Sequence, residues 1–190
     1  MKSKRLGSEI IRLALPATIE NIFQTLVGFF DTLLIAQLGL VAVTAVALAN
    51  TILNVYLAVF LAIGVGGTAL IARSLGAGQK EKARQYARQT QELSIAGGIV
   101  FGFISIFFGR WMLQAMGASG SALEDAQVFF YWVGGFSLLH ASMTSLGTIL
   151  RATGDTVTPM KVGIITNVTN VLLDYFLIFG FGSWVGLGIL

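Results

Sequence analysis

A chain of 190 residues that is 55% hydrophobic and only 11% charged cannot clothe a soluble surface, where charged residues make up roughly a quarter of the total. Its net charge of +3 comes from basic residues gathered in short clusters between apolar runs, which signals membrane topology and excludes a nucleic-acid-binding surface. The absence of cysteine excludes both a disulfide framework and a thiolate metal site.

Lys2, Lys4 and Arg5 resemble the charged start of a signal peptide. The apolar segment after them is too long, however, and ends without a small-residue cleavage site, so it is expected to be retained. That segment, residues 11–38, is the first of five runs long enough to cross a hydrocarbon core, which takes about 20 helical residues. It carries Glu20, Gln24 and Asp31, which fall within roughly 40° of one another at about 100° per residue, with Asn21 and Gly28 on the adjoining edge. Ionisable groups inside hydrocarbon are costly unless they face a cavity or a partner, so they are functional candidates. Pro16 has two readings: a residue that lets the helix bend, or an ordinary first-turn proline.

The second run, 42–70, adds Asn50 and Asn54, one turn apart. The connection Arg73–Arg84 breaks at Gly76 and Gly78 and then reads as a basic amphipathic helical stretch. Gly76-Ala77-Gly78 lacks the spacing and the preceding strand of a phosphate-binding loop. The third run, 93–113, contains Gly98 and Gly102 at GxxxG spacing, a match expected by chance in a chain with 23 glycines. The fourth, 128–150, holds His140, the only histidine, read as a packing residue hydrogen-bonded near Ser137, Ser142 and Ser145. Arg151–Pro159 is a tight turn that sets Pro159 in the first turn of the next helix.

The fifth run, 160–181, presents Gly163, Asn167, Asn170 and Asp174 within roughly 60°. Asn167-Val168-Thr169 fits a glycosylation sequon but lies inside a span, and is discounted. A sixth run opens at Gly186, just past a second GxxxG spacing at Gly182–Gly186. Barrel strands of about ten alternating residues do not fit continuous apolar runs. The expected fold is therefore an all-α polytopic transmembrane helix bundle of five spans plus the start of a sixth.

Lys and Arg counts orient it. With the amino terminus inside, eleven of the 12 basic residues are cytoplasmic and only Arg110 is external, as the positive-inside rule requires. Asp31 and Asp174 then both lie roughly 10 Å below the outer surface, and Glu20 lies about 16 Å deeper. If spans one and five are neighbours, the two aspartates meet at one depth among Asn side chains. Such a pair shares a proton or holds a cation, and its hard oxygen ligands suit Na⁺ or H⁺ over a soft metal. The alternative is that each acid hydrogen-bonds to a nearby helix and only holds the bundle together.

Several motifs then converge on one family. Leu15-Pro16-Ala-Thr-Ile-Glu20-Asn-Ile-Phe-Gln24, continuing to Phe30-Asp31-Thr32, resembles the first helix of the multidrug and toxic compound extrusion family. Ala72-Arg73 through Gly76-Ala-Gly78 to Lys82-Ala83 resembles the loop after its second helix. Leu150-Arg151-Ala-Thr-Gly154-Asp155 and Thr158-Pro159-Met160 resemble the loop before its fifth helix, in the form of the prokaryotic DNA-damage-inducible branch. Asn167-Val-Thr-Asn170 and Asp174-Tyr-Phe-Leu resemble the fifth helix itself.

The resemblance implies a cation-coupled exporter of two six-helix lobes, twelve helices in all, with this sequence as most of the amino-terminal lobe. It implies a coupling site for H⁺ or Na⁺ at Asp31, Asn170 and Asp174, with Asn167 alongside, and no other cofactor. Gln24 lines the substrate cavity, to which Glu20, Asn50 and Asn54 are also assigned, and Pro16 is where helix one bends. The implied setting is the inner cell membrane. The implied partners are the lipid bilayer, small drug-like and often cationic substrates, and a missing carboxy-terminal lobe or a second copy of the chain.

The residues argue against three rival readings. A lipid-linked saccharide flippase would line its cavity with Arg and Lys, and no span core carries one. An intramembrane protease would need a Gly-x-Gly-Asp partner for Asp174, or a nucleophile set against its base, which Ser137 and His140 on one helix face do not provide. A channel would need a pore motif.

Overall fold

The computed structural model describes the backbone of residues 2–179 and the side chains of residues 14–173. The run from Gly186, the Gly182–Gly186 spacing, the end of the fifth run at Phe181 and the side chains of Lys2, Lys4, Arg5, Arg12 and Asp174 lie outside the described residues. Among those residues the elements are all helices: α1 (Lys2–Ala36), α2 (Leu40–Gly76), α3 (Lys80–Ala115), α4 (Gly120–Gly135), α5 (Ser137–Ala152) and α6 (Val157–Phe179). Ala14–Ala36, α2 and α3 are each long and apolar enough to cross a membrane, and α4 and α5 meet the same length and apolarity when taken together as one bent pair. α6, at 23 residues, exceeds the length of about 20 that a crossing needs. Large apolar side chains such as Phe29, Phe103, Phe107 and Leu139 are at least half exposed. A surface of that kind belongs against lipid or another protein.

Two helices are longer than the apolar runs they contain. α1 runs unbroken from Lys2, so Pro16 sits in its interior and the first-turn reading is excluded. α3 joins the basic stretch and the third run into one helix of 36 residues. The joints use standard end chemistry. After α2, Gly78 takes φ 73°, Gly78 N–H donates to the Leu75 carbonyl and Gln79 N–H to that of Ser74. This is a Schellman end, in which the left-handed position favours glycine. Gly117 repeats the arrangement after α3.

The expected continuous fourth run is instead two helices, bent by 48° where they meet at Phe136. Gly134 and Gly135 precede the bend, and adjacent glycines weaken helix continuity. The Ser137 hydroxyl donates to the Gly134 carbonyl, which supplies a partner that the broken helix ladder no longer provides.

The residues form two compact units. One comprises α1 up to Leu34 together with α6; the other spans Ile35–Thr153. In the second, α2, α3, α4 and α5 pack around Ala45, Ala49, Tyr56, Phe60, Leu113 and Phe130. The Tyr56 ring stacks on Phe101 at 4.3 Å, and its hydroxyl shares a 3.1 Å hydrogen bond with that of Ser105. A buried tyrosine needs such a partner.

Candidate functional site

The polar stripes expected on the first and fifth spans lie on α1 and α6, which make up one unit. Glu20 is buried at 7% exposure. A Cβ built on Gly163 would lie 3.4 Å from both Cγ and Oε1 of Glu20. The carboxylate therefore rests over the one position of the α6 stripe that has no side chain, and the two helices lie side by side. Asp31 and Asn167 are half-buried, Gln24 and Asn170 exposed, and Pro16 half-buried. Asp174 belongs to α6 by its backbone.

The register of the two helices is informative. Eleven residues separate Glu20 from Asp31, and eleven separate Gly163 from Asp174. Eleven residues make about three turns and about 16 Å, and return to the same helix face within roughly 20°. Asp31 and Asp174 are therefore offset by the same number of residues, each toward the carboxy terminus of its helix, from the Glu20–Gly163 contact. The polar groups of α1 are further economised by Thr18, Thr25 and Thr32, whose hydroxyls donate to the carbonyls of Ala14, Asn21 and Gly28 at 2.7–2.9 Å. Such i−4 bonds satisfy hydroxyls inside hydrocarbon and slightly bend the helix.

Asn50 and Asn54 belong to the other unit. They are exposed on α2, off the stripe Ala45, Ala49, Ile52, Tyr56 and Phe60 that faces its core. His140 has the Phe60 ring as its neighbour, at 6.4 Å. The expected serine hydrogen bond to His140 is not formed among the described residues: the Ser137 hydroxyl donates to the Gly134 carbonyl and the Ser145 hydroxyl is buried without a hydrogen-bond partner.

Composition alone misjudged one motif. Gly98 and Gly102 are more than a chance spacing: they let α3 meet the α4–α5 bend almost backbone to backbone. A Cβ on Gly98 would lie 2.6 Å from the Leu138 Cα, and one on Gly102 2.8 Å from the Gly135 carbonyl oxygen. The buried face of α3 consists mainly of Thr90, Ser94, Gly98, Gly102, Ser105 and Gly109, a small-residue seam of the kind that packs helices in membranes. The signal was present in the sequence, as small residues at spacings of four and three over five turns.

The MatE family pattern matches residues 16–176. A Thermotoga maritima protein described as "Probable multidrug resistance protein NorM" is 32% identical over 175 residues, covering 92% of this chain and 38% of its own length. A Bacillus subtilis protein described as "Uncharacterized transporter YisQ" is 31% identical over 180 residues, covering 95% and 40%. The solved structure described as "Crystal structure of MATE in complex with MaD3S" superposes with a TM-score of 0.89 at 27% identity, covering 95% of this chain and 40% of that one. The chain thus spans about two-fifths of the length of the relatives it matches.

Proposed function

This chain belongs to the multidrug and toxic compound extrusion (MATE) family of membrane transporters, which are not enzymes, and on that premise we propose that it is the amino-terminal lobe of a cation-coupled multidrug exporter. Asp31, Asn170 and Asp174 hold the coupling ion, with Asn167 beside them. Gln24, Glu20, Asn50 and Asn54 face the substrate cavity, and Pro16 is the point at which α1 bends. The carrying observation is the Glu20–Gly163 contact with its equal eleven-residue offsets.

The chemistry of the donor set supports this reading. Carboxylates and amides are hard oxygen ligands suited to Na⁺, and a pair of carboxylates equally holds a proton. In the mechanism, an ion entering from outside neutralises the site, and α1 repacks at Pro16 as cavity space closes. An apolar, often cationic, compound then leaves outward. The ion drives this step only because the two conformations differ in their affinity for it. The resemblance of Leu150–Met160 supports the DNA-damage-inducible branch. The second lobe, the inner-membrane setting and the cytoplasmic amino terminus complete the proposal.

The test is ion-driven efflux of a fluorescent cationic dye from proteoliposomes. Asp31→Asn abolishes efflux driven by a proton or sodium gradient while leaving membrane insertion unchanged. Retained efflux by a well-inserted variant overturns the assignment.

A further inference from the structure

We propose that the cytoplasmic end of α3 is a docking site for anionic phospholipid headgroups of the inner leaflet, with Arg84 and Arg88 as its phosphate ligands. The proposal rests on reading α3 as a membrane-crossing helix whose Lys80 end is inside.

With 36 residues, α3 is about 54 Å long against a hydrocarbon core of about 30 Å, so one end must leave the core. Composition identifies which. Residues 80–92 carry Lys80, Lys82, Arg84 and Arg88 against Glu81 and Glu92, all exposed. From Leu93 onward the exposed residues are chiefly apolar. Packing fixes the orientation of the helix about its axis, because Ala83, Thr90, Ser94 and Gly98 are buried along one side.

On the outward side, Arg84, Arg88 and Glu92 continue into Ile99, Phe103 and Ile106, which are 43–56% exposed. Steps of four, four, seven, four and three residues keep them on one helix face. The exposed apolar face of α3 therefore runs directly into two arginines. Arg88 stands five residues before Leu93, or about 7.5 Å along the axis, within the polar layer that adds roughly 5–8 Å to each side of the core.

The local electrostatics suit a phosphate. Arg88 Nε donates to Glu92 Oε1 at 2.7 Å, with both side chains exposed. That bond uses one of the five N–H groups of the guanidinium and leaves the other four for further acceptors. Arginine forks bind phosphate oxygens bidentately, and basic residues at the cytoplasmic surface are attracted to anionic lipid. Glu92 orients Arg88 but also opposes the headgroup's charge, so removing its charge strengthens binding.

Purified protein in neutral detergent is titrated with phosphatidylglycerol or phosphatidylcholine, and bound lipid is counted by native mass spectrometry. The wild type prefers phosphatidylglycerol. R84Q/R88Q weakens that binding by roughly tenfold or more, and E92Q strengthens it a few-fold. K82Q, on another face of the helix, changes it by less than about twofold, and inorganic phosphate does not compete. Any of four results overturns the proposal: no preference between the lipids, wild-type binding by R84Q/R88Q, equal loss in K82Q, or competition by inorganic phosphate. Because lipid counting involves no transport, failure here is distinct from retained efflux in Asp31→Asn, which tests the exporter reading.

Discussion

A single methyl group reports how tightly the helices meet. Gly98→Ala sets a Cβ 2.6 Å from the Leu138 Cα, a backbone atom that cannot swing away, so α3 or α5 must shift. The expected cost is about 1–3 kcal/mol, read as a lowered thermal unfolding midpoint in detergent. Gly66→Ala is the matched control: nothing lies within 4 Å of its Cβ, and the better helix propensity of alanine leaves stability unchanged or raised by up to about 1 kcal/mol. The same logic applies at Gly163. An alanine Cβ at 3.4 Å from Glu20 is an ordinary contact, whereas Gly163→Leu displaces the carboxylate, costs about 1–3 kcal/mol and lowers dye efflux more than Gly163→Ala does. Residue identity showed that Glu20 and Asp31 were the carboxylates to follow on the first span. Which glycines are structural was not legible, because glycine is frequent throughout and only a facing backbone singles one out.

At the scale of the element, helix ends and interruptions carry the testable content. Asp155 Oδ1 accepts the backbone N–H groups of Val157 and Thr158 at 3.1 and 3.0 Å, capping the start of α6. The Thr158 hydroxyl, then these backbone donors, with Lys161 contributing, hold its carboxyl below the ordinary aspartate range. A depressed folded value means that the contribution is present above the unfolded range, near pH 4, and is lost as pH falls through the folded value. Amide exchange at Val157 and Thr158, taken relative to the intrinsic rate at each pH, should therefore become faster on acidification. In Asp155→Asn it should stay slow and nearly independent of this titration, and in Asp155→Ala it should be fast at every pH, since Asn caps almost as well as Asp and Ala does not.

Pro16, inside α1, removes the amide that would reach the carbonyl of residue 12. Pro16→Ala restores that bond, raising the unfolding midpoint by the equivalent of up to about 3 kcal/mol, while slowing efflux if α1 must bend there. The helical character of α1, α2, α3 and α6 was legible from apolar runs and turn residues, as was Pro159 in the first turn of α6. The 48° bend at Phe136 was not, because an apolar run looks the same whether its helix is straight or bent. Gly134–Gly135 was the local hint.

At the scale of the whole molecule, the chain lacks cysteine, so single cysteines report topology without a background. Gln79→Cys, in the turn between α2 and α3, should react with a membrane-impermeant maleimide only from the cytoplasmic side. Ser119→Cys, ahead of α4, should react only from outside. The reverse pattern overturns the orientation drawn from eleven basic residues against one. That count, the apolar lengths and the all-helical class were determined by the sequence by itself, because transfer free energy and backbone hydrogen bonding in lipid depend on composition and length, and these need no knowledge of neighbours. The tertiary structure alone decided that Glu20 rests over Gly163, that α3 meets the α4–α5 bend through Gly98 and Gly102, and that the α3 face carrying Arg84 and Arg88 is left exposed rather than packed against α2, α4 or α5. Each is a relation between helices, or between a helix and its surroundings, and periodicity along one chain segment shows which residues share a face but not what that face will meet.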